Sequence, residues 1–169
     1  MGDAMRKKII IGGLLVALLG SAWLFYYFSD RQVIRRQLGE LAEVLGKEEQ
    51  ESAIEMAMKL RAVQEMLPRR CFVRIPDRDY GKELEQDLII RYLIYYRQNY
   101  RLLHLSWSEM EIELPSAGRA IVQAQARLER RSNKADAATL QEYAVQLALK
   151  KGDDKWLLHG VTMPAALTE

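Results

Sequence analysis

The chain has 169 residues, 49% of them apolar and 28% charged, with 25 Lys and Arg against 23 Asp and Glu. Those figures exclude a disordered polar chain and a polytopic membrane protein, and they fit one globular domain. The average conceals a division, because no charged residue occurs between Ile9 and Phe28. Charge divides at the same place. Residues 1–8 carry Arg6, Lys7 and Lys8 against Asp3, and the remainder holds as many acids as bases. A neutral body lacks the basic excess that phosphate neutralisation needs, which argues against nucleic acid as a partner. The local run Arg127, Arg130 and Arg131 reads as a solvated strand end.

The run IIIGGLLVALLGSAWLFYYF at 9–28 is 20 residues long. At ~1.5 Å per residue it spans a hydrocarbon core of ~30 Å as a helix. Trp23, Tyr26 and Tyr27 supply amphipathic rings for the headgroup level, and Ser29, Asp30 and Arg31 follow at once. The apolar stretch outlasts the ~7–15 residues of a usual signal-peptide core, so an uncleaved anchor is expected over a removed leader. Arg6, Lys7 and Lys8 abut the helix on one side and Arg31, Arg35 and Arg36 lie on the other. The short basic tail, residues 1–8, is expected in the cytoplasm and residues 29–169 outside it, in the single-pass arrangement of a cell inner-membrane protein. Gly13, Ala17 and Ser21 form a small-residue stripe on which two such helices can approach closely.

Cys71 is the sole cysteine, so no intrachain disulfide forms. It stands before Phe72 and Val73, where a buried inert thiol is expected. After the apolar run, Ile34, Leu38, Leu41 and Leu45 recur at helical spacing and predict an amphipathic helix ending near Gly46. A second helix is predicted to run to Leu67, with Ile54, Ala57, Met58, Leu60 or Arg61, and Leu67 as a face of mixed quality, broken by Pro68. CFVRI at 71–75 predicts a short strand, and Pro76 to Asp79 a turn. A third helix is predicted from Gly81 to Tyr100, carrying Leu84, Leu88, Tyr92, Leu93 and Tyr96.

The period then changes to two. Met110, Ile112 and Leu114 alternate with Glu109, Glu111 and Glu113, and Pro115 to Gly118 makes a turn. Ala120, Val122, Ala124, Ala126 and Leu128 then oppose Gln123, Gln125, Arg127 and Glu129. A third strand sets Tyr143, Val145, Leu147 and Leu149 against Glu142, Gln146 and Lys150, and Gly152-Asp153-Asp154 turns it into KWLLHGVTM. Helices followed by an antiparallel meander predict an α+β fold with three helices covering one face of a curved sheet.

The helix DRQVIRRQLGELAEVL, the hairpin SWSEMEIELPSAGRAIVQAQARL and the closing pair YAVQLALKKGDDKWLLHGV together resemble the nuclear transport factor 2-like, cystatin-like superfamily. Gly152, Asp153 and Asp154 before Lys155, Trp156 and Leu158 are similar to the turn and final strand of its members. The resemblance implies a cone of three helices on a strongly curved, mostly antiparallel sheet. It also implies that function resides in the cone's interior, because the fold hosts enzymes, binders and scaffolds alike.

The inward positions of the two long strands, Ala120 to Leu128 and Tyr143 to Leu149, carry no carboxylate or imidazole. His159 is expected to face away from the core if Trp156 faces it, and His104 to pack where the third helix meets the sheet. Glu109, Glu111 and Glu113 lie opposite the apolar stripe and read as a solvated edge rather than a metal site. No ligand spacing for a metal, phosphate loop or nucleophile elbow is present, so no cofactor, no metal and no catalytic residue is assigned. Tyr92 and Tyr96 share a helical stripe that can line a cone mouth, and with Tyr143 they are the candidate ligand-binding residues. The polar outer sheet face suits a homodimer or a protein complex of the cell envelope. The expectation is thus a membrane-anchored, non-enzymatic interaction or scaffold module. The alternative is a small-molecule binder or cyclase-like enzyme using the cone.

Overall fold

A computed structural model describes residues 29–134 and 137–167. The 1–8 tail and the 9–28 run, with Gly13, Ala17 and Ser21, lie outside the described residues. Among the described residues no helix is long and apolar enough to cross a membrane. The chain divides into two compact units, 1–36 and 37–169. Of the first, residues 29–36 are the described part and form the opening turns of helix α1 (Asp30–Leu45).

Helix α2 spans Ala53–Met66 and α3 spans Gln86–Gln98. The strands are β1 (Arg70–Ile75), β2 (Tyr80–Glu85), β3 (Tyr100–Ser116), β4 (Arg119–Ser132), β5 (Thr139–Lys151) and β6 (Trp156–Thr162). They form one sheet in the order β2-β1-β6-β5-β4-β3, antiparallel throughout except where β1 runs parallel to β6. Three helices on a curved, mostly antiparallel sheet are the α+β arrangement predicted.

The buried stripe falls where alternation placed it. Ala120, Val122, Ala124, Ala126 and Leu128 on β4 and Tyr143, Val145, Leu147 and Leu149 on β5 are all buried. Trp156 and Leu158 of β6 join them, and Leu38, Leu41 and Ala42 of α1 are buried as well. Side-chain contacts to strands fix α1. The Trp107 indole donates to the Leu38 carbonyl at 2.6 Å, and Gln37 both donates to and accepts from the Trp156 backbone, at 3.1 and 3.0 Å. Cys71 of β1 is buried, and burial pushes its thiol up to about 11, so it stays protonated and unreactive near neutral pH.

Three expectations need correction. Residues 80–85 are strand, not the start of the third helix. Pro76–Arg78 makes a short 3-10 turn, and Asp79 adopts a left-handed conformation (φ 47°) that folds β2 back on β1 with Arg70 opposite Glu85. Leu84 thus pairs with Cys71 across a hairpin, and the helix starts only at Gln86.

The second correction is the phase of the helices. On α2, whose start is fixed by a capping box between Ser52 and Glu55, Val63 is buried, whereas Ile54 and Met58 stand 74% and 67% exposed. On α3, Tyr92 and Tyr95 are 57% and 69% exposed. The apolar residues on these helices exceed what one face can bury, and pattern alone did not say which side meets the sheet.

The third concerns β3, which begins at Tyr100, so His104 is an exposed strand residue opposite Glu129 and not part of a helix end. One extra residue sits between Ser108 and Glu111, where Glu109 takes φ 50°. This bulge exchanges the faces: Leu103, Leu105 and Trp107 oppose inward residues before it, and Ile112 opposes Val122 after it.

A charged group is also sealed into the core. Arg97 of α3 is 1% exposed, and its guanidinium donates to both Glu51 carboxylate oxygens at 2.7 and 2.6 Å. It also donates to the carbonyls of Leu45 and Gly46, at 2.7 and 2.8 Å, the groups left unpaired where α1 ends. Lys59 adds a second cation to Glu51 at 2.9 Å, and Lys47 donates to the Arg97 and Tyr100 carbonyls at 2.9 and 2.6 Å. The hub ties α1, α2 and α3 to the start of β3, the end of the cone where the candidate site lies.

Candidate functional site at the end of the sheet

Past Leu128 the inward side of β4 presents Arg130. Its strand partners are Leu103 on β3 and Thr139 on β5, and Leu128 likewise faces Gln141. Inward polar side chains therefore gather where the apolar stripe runs out. The Arg130 Nη1 donates to the Tyr96 hydroxyl at 2.9 Å and to the Tyr100 hydroxyl at 3.3 Å, and Nη2 donates to the Gln141 side-chain carbonyl at 3.0 Å. The guanidinium also lies 5.6 Å from the centre of the Tyr100 ring, whose centroid is 4.9 Å from that of Tyr96. The Tyr143 hydroxyl donates to the same Gln141 oxygen and approaches the Ala166 carbonyl at 3.4 Å.

Of the three tyrosines singled out in the sequence, Tyr96 and Tyr143 thus meet in one network and Tyr92 stands outside it. Burial pushes the Tyr96 hydroxyl up to about 12, against the opposing pull of Arg130, so it is a neutral phenol at physiological pH. The residue that joins them, Arg130, was missed. Read as one of three arginines at a solvated strand end, it differs from its neighbours: Arg127 pairs with Glu142 at 2.6 Å and Arg131 with Glu49, whereas Arg130 has only neutral oxygens. The signal was its parity, since 130 continues the series 120 to 128.

The other titratable candidates lie elsewhere. His159 is half-buried, on the face opposite the buried Trp156 and Leu158, and burial with the nearby Lys150 charge lowers its pKa. Glu109, Glu111 and Glu113 are exposed. The first two line an open groove of about 560 Å³ on the outer sheet face, with Gln123, Gln125, Gln146 and Met163. Among the described residues no three His, Cys, Asp or Glu side chains converge as a metal site would require.

No protein-family model matches the chain, and neither does any curated protein sequence. Solved structures do. An NTF2-like protein with a cystatin-like fold from Novosphingobium aromaticivorans aligns over 89% of this chain and 88% of its own, with a TM-score of 0.62 at 10% identity. An NTF2-like protein from Cytophaga hutchinsonii aligns over 82% and 99%, with a TM-score of 0.60 at 12% identity. The protein called "Putative Scytalone Dehydratase" from Novosphingobium aromaticivorans aligns over 79% and 82%, with a TM-score of 0.64 at 15% identity. At these identities the likeness carries the architecture and not the chemistry. Strand order, the three helices and these alignments together give the chain the nuclear transport factor 2-like, cystatin-like fold.

Proposed function

We propose that this chain is a membrane-anchored, non-enzymatic interaction module, whose cone stands in the cell envelope and binds a second protein through its helical layer. The observation that carries the reading is the exposed apolar surface of α2 and α3, where Ile54, Met58, Tyr92 and Tyr95 all face solvent. Large exposed aliphatic and aromatic side chains on neighbouring elements mark contact surfaces more often than free ones. The interior supports the same side of the argument. The described inward positions of β4 and β5 up to Leu128 and from Tyr143 are filled with buried apolar groups, so a general acid or base has no place among them.

The anchor rests on the uncharged 9–28 run, and the envelope location on the basic residues that precede it. The partner is a protein with an apolar surface of its own, and a second copy of the chain is the simplest case. The test is the mass of the full chain in detergent, free and after cross-linking in intact cells. Ile54→Glu combined with Tyr95→Glu is expected to abolish the cross-linked species while leaving the melting temperature nearly unchanged, because exposed sites shift stability by only about 0.5 kcal/mol. A cross-linked species that survives this double change, or that Glu111→Lys in the outer groove abolishes instead, would move the contact off the helices.

A further inference from the structure

Arg130 lies outside the exposed patch on α2 and α3 and has no acidic partner among the described residues. An arginine carries five N–H donors, and the structure shows three hydrogen bonds from this one, two from Nη1 and one from Nη2. Nε donates to no described residue and Nη2 makes one bond, and a carboxylate that takes the Nε and Nη2 edge of a guanidinium is gripped side-on through two parallel hydrogen bonds. No carboxylate among the described residues takes that position. Arg127 and Arg131, three and one residues away on the same strand, both have an acid.

Drawing a cation partly out of water without a counter-charge is costly, and neutral hydroxyls offset only part of that cost. Here Tyr96, Tyr100 and Gln141 accept from Arg130 and hold its plane fixed, so the guanidinium is preorganised. Beside it are the rings of Tyr96 and Tyr100, and further in the apolar stripe begins at Leu128.

We infer that the inward end of β4 is a binding site for a small monocarboxylate with an aromatic or apolar body, its carboxylate held by the Nε and Nη2 edge of Arg130 and its body laid against Tyr96 and Tyr100. One unpaired guanidinium matches a single negative charge, whereas a phosphate dianion would call for more positive charge than the cluster supplies. The site goes beyond the interaction reading and does not depend on it, since none of its residues belongs to the exposed patch on α2 and α3.

The probe is radiolabelled benzoate, measured by equilibrium dialysis against the full chain in detergent, with benzamide as the uncharged analogue and inorganic phosphate as competitor. Wild type is expected to bind benzoate saturably at one per chain, to ignore benzamide and to release little benzoate to phosphate. Arg130→Gln is expected to weaken binding about tenfold or more, and Arg130→Lys, which keeps the charge and loses the fork, to weaken it as well. Arg127→Gln should bind as wild type does. Circular dichroism melts establish that each variant is folded. If Arg130→Gln fails to fold, the folded Arg130→Lys and the benzamide comparison decide. Absence of saturable benzoate binding in wild type, full binding by folded Arg130→Gln or Arg130→Lys, equal binding of benzamide, or equal displacement by phosphate would each overturn the assignment.

Discussion

Arg97→Met is expected to destabilise the folded domain by about 3–5 kcal/mol, the cost typical of removing one partner from a buried ion pair. Both side chains of the pair are nearly inaccessible, Arg97 at 2% and Glu51 at 3%, so solvent screening offers little relief. The change strips Glu51 of two charge-assisted hydrogen bonds, takes the Arg97 donor from the Leu45 carbonyl at the end of α1, and leaves the Gly46 carbonyl with the longer bond from Lys59 at 3.3 Å. Lys59, still 2.9 Å from Glu51, moderates the loss. Replacing both residues with apolar ones should cost less than the two single changes added together, because the penalty lies in the orphaned charge more than in the absence of the pair. The buried Arg97 Nε has no partner even in the native fold, so the hub does not recover its full desolvation cost. It serves position: α1, α2, α3 and β3 are held together by a group that tolerates few alternative geometries.

The same hub sets an acid limit. Burial alone would raise the Glu51 carboxyl, but the hydrogen bonds and charges of Arg97 and Lys59 outweigh it and hold the group below its ordinary 4.5. A lowered folded-state value means stability that is present above about pH 4.5 and lost as the pH falls through the folded-state value. Denaturant melts from pH 7 to 3 should show that decline in wild type, and Glu51→Gln should be weaker at pH 7 and flatter below 4.5.

Val122→Asp is expected to remove the folded state outright, with a cost of about 4 kcal/mol or more. Val122 has no exposed surface and lies between Ile112 on β3 and Leu147 on β5, so a carboxylate there finds neither water nor a cation. One position along, Gln123→Asp points out to the groove and should alter stability by only about 0.5 kcal/mol. The contrast, read by circular dichroism and expression level, tests the claim that this interior is packing. A folded Val122→Asp protein would mean an interior with room for solvent or a ligand beside β4.

Which parts of this were legible in the sequence follows from how strongly each is specified. Strands β4 and β5 were readable residue by residue because they have one wet and one dry face, and a period of two leaves a single register that buries Val122 and Leu147 together. Helices α2 and α3 were readable as helices, but their orientation was not. Each carries more apolar residues than one face needs, and only the tertiary contact decides that Val63 is buried while Met58 is not. The β1–β2 hairpin was hidden because Asp79 supplies the left-handed turn that a glycine usually signals. The bulge at Glu109 was hidden for the same reason, since a clean run of alternating glutamates gives no sign of it. In the candidate site, Tyr96 and Tyr143 were picked for their hydroxyls. Arg130, which unites them, was lost among three arginines that composition treats alike and strand parity separates.

The central proposal is that this cone works at a membrane, outside the cytoplasm, anchored through the uncharged 9–28 run. Reporter fusions test that directly: alkaline phosphatase, active only after export, and a fluorescent protein that matures only in the cytoplasm, each joined after residue 8 and after residue 169. An exported, anchored cone predicts that the fusion after 169 gives phosphatase activity in the membrane fraction, and that the fusion after 8 gives fluorescence alone. Fluorescence from the fusion after 169, or phosphatase activity recovered in the soluble fraction, would contradict it.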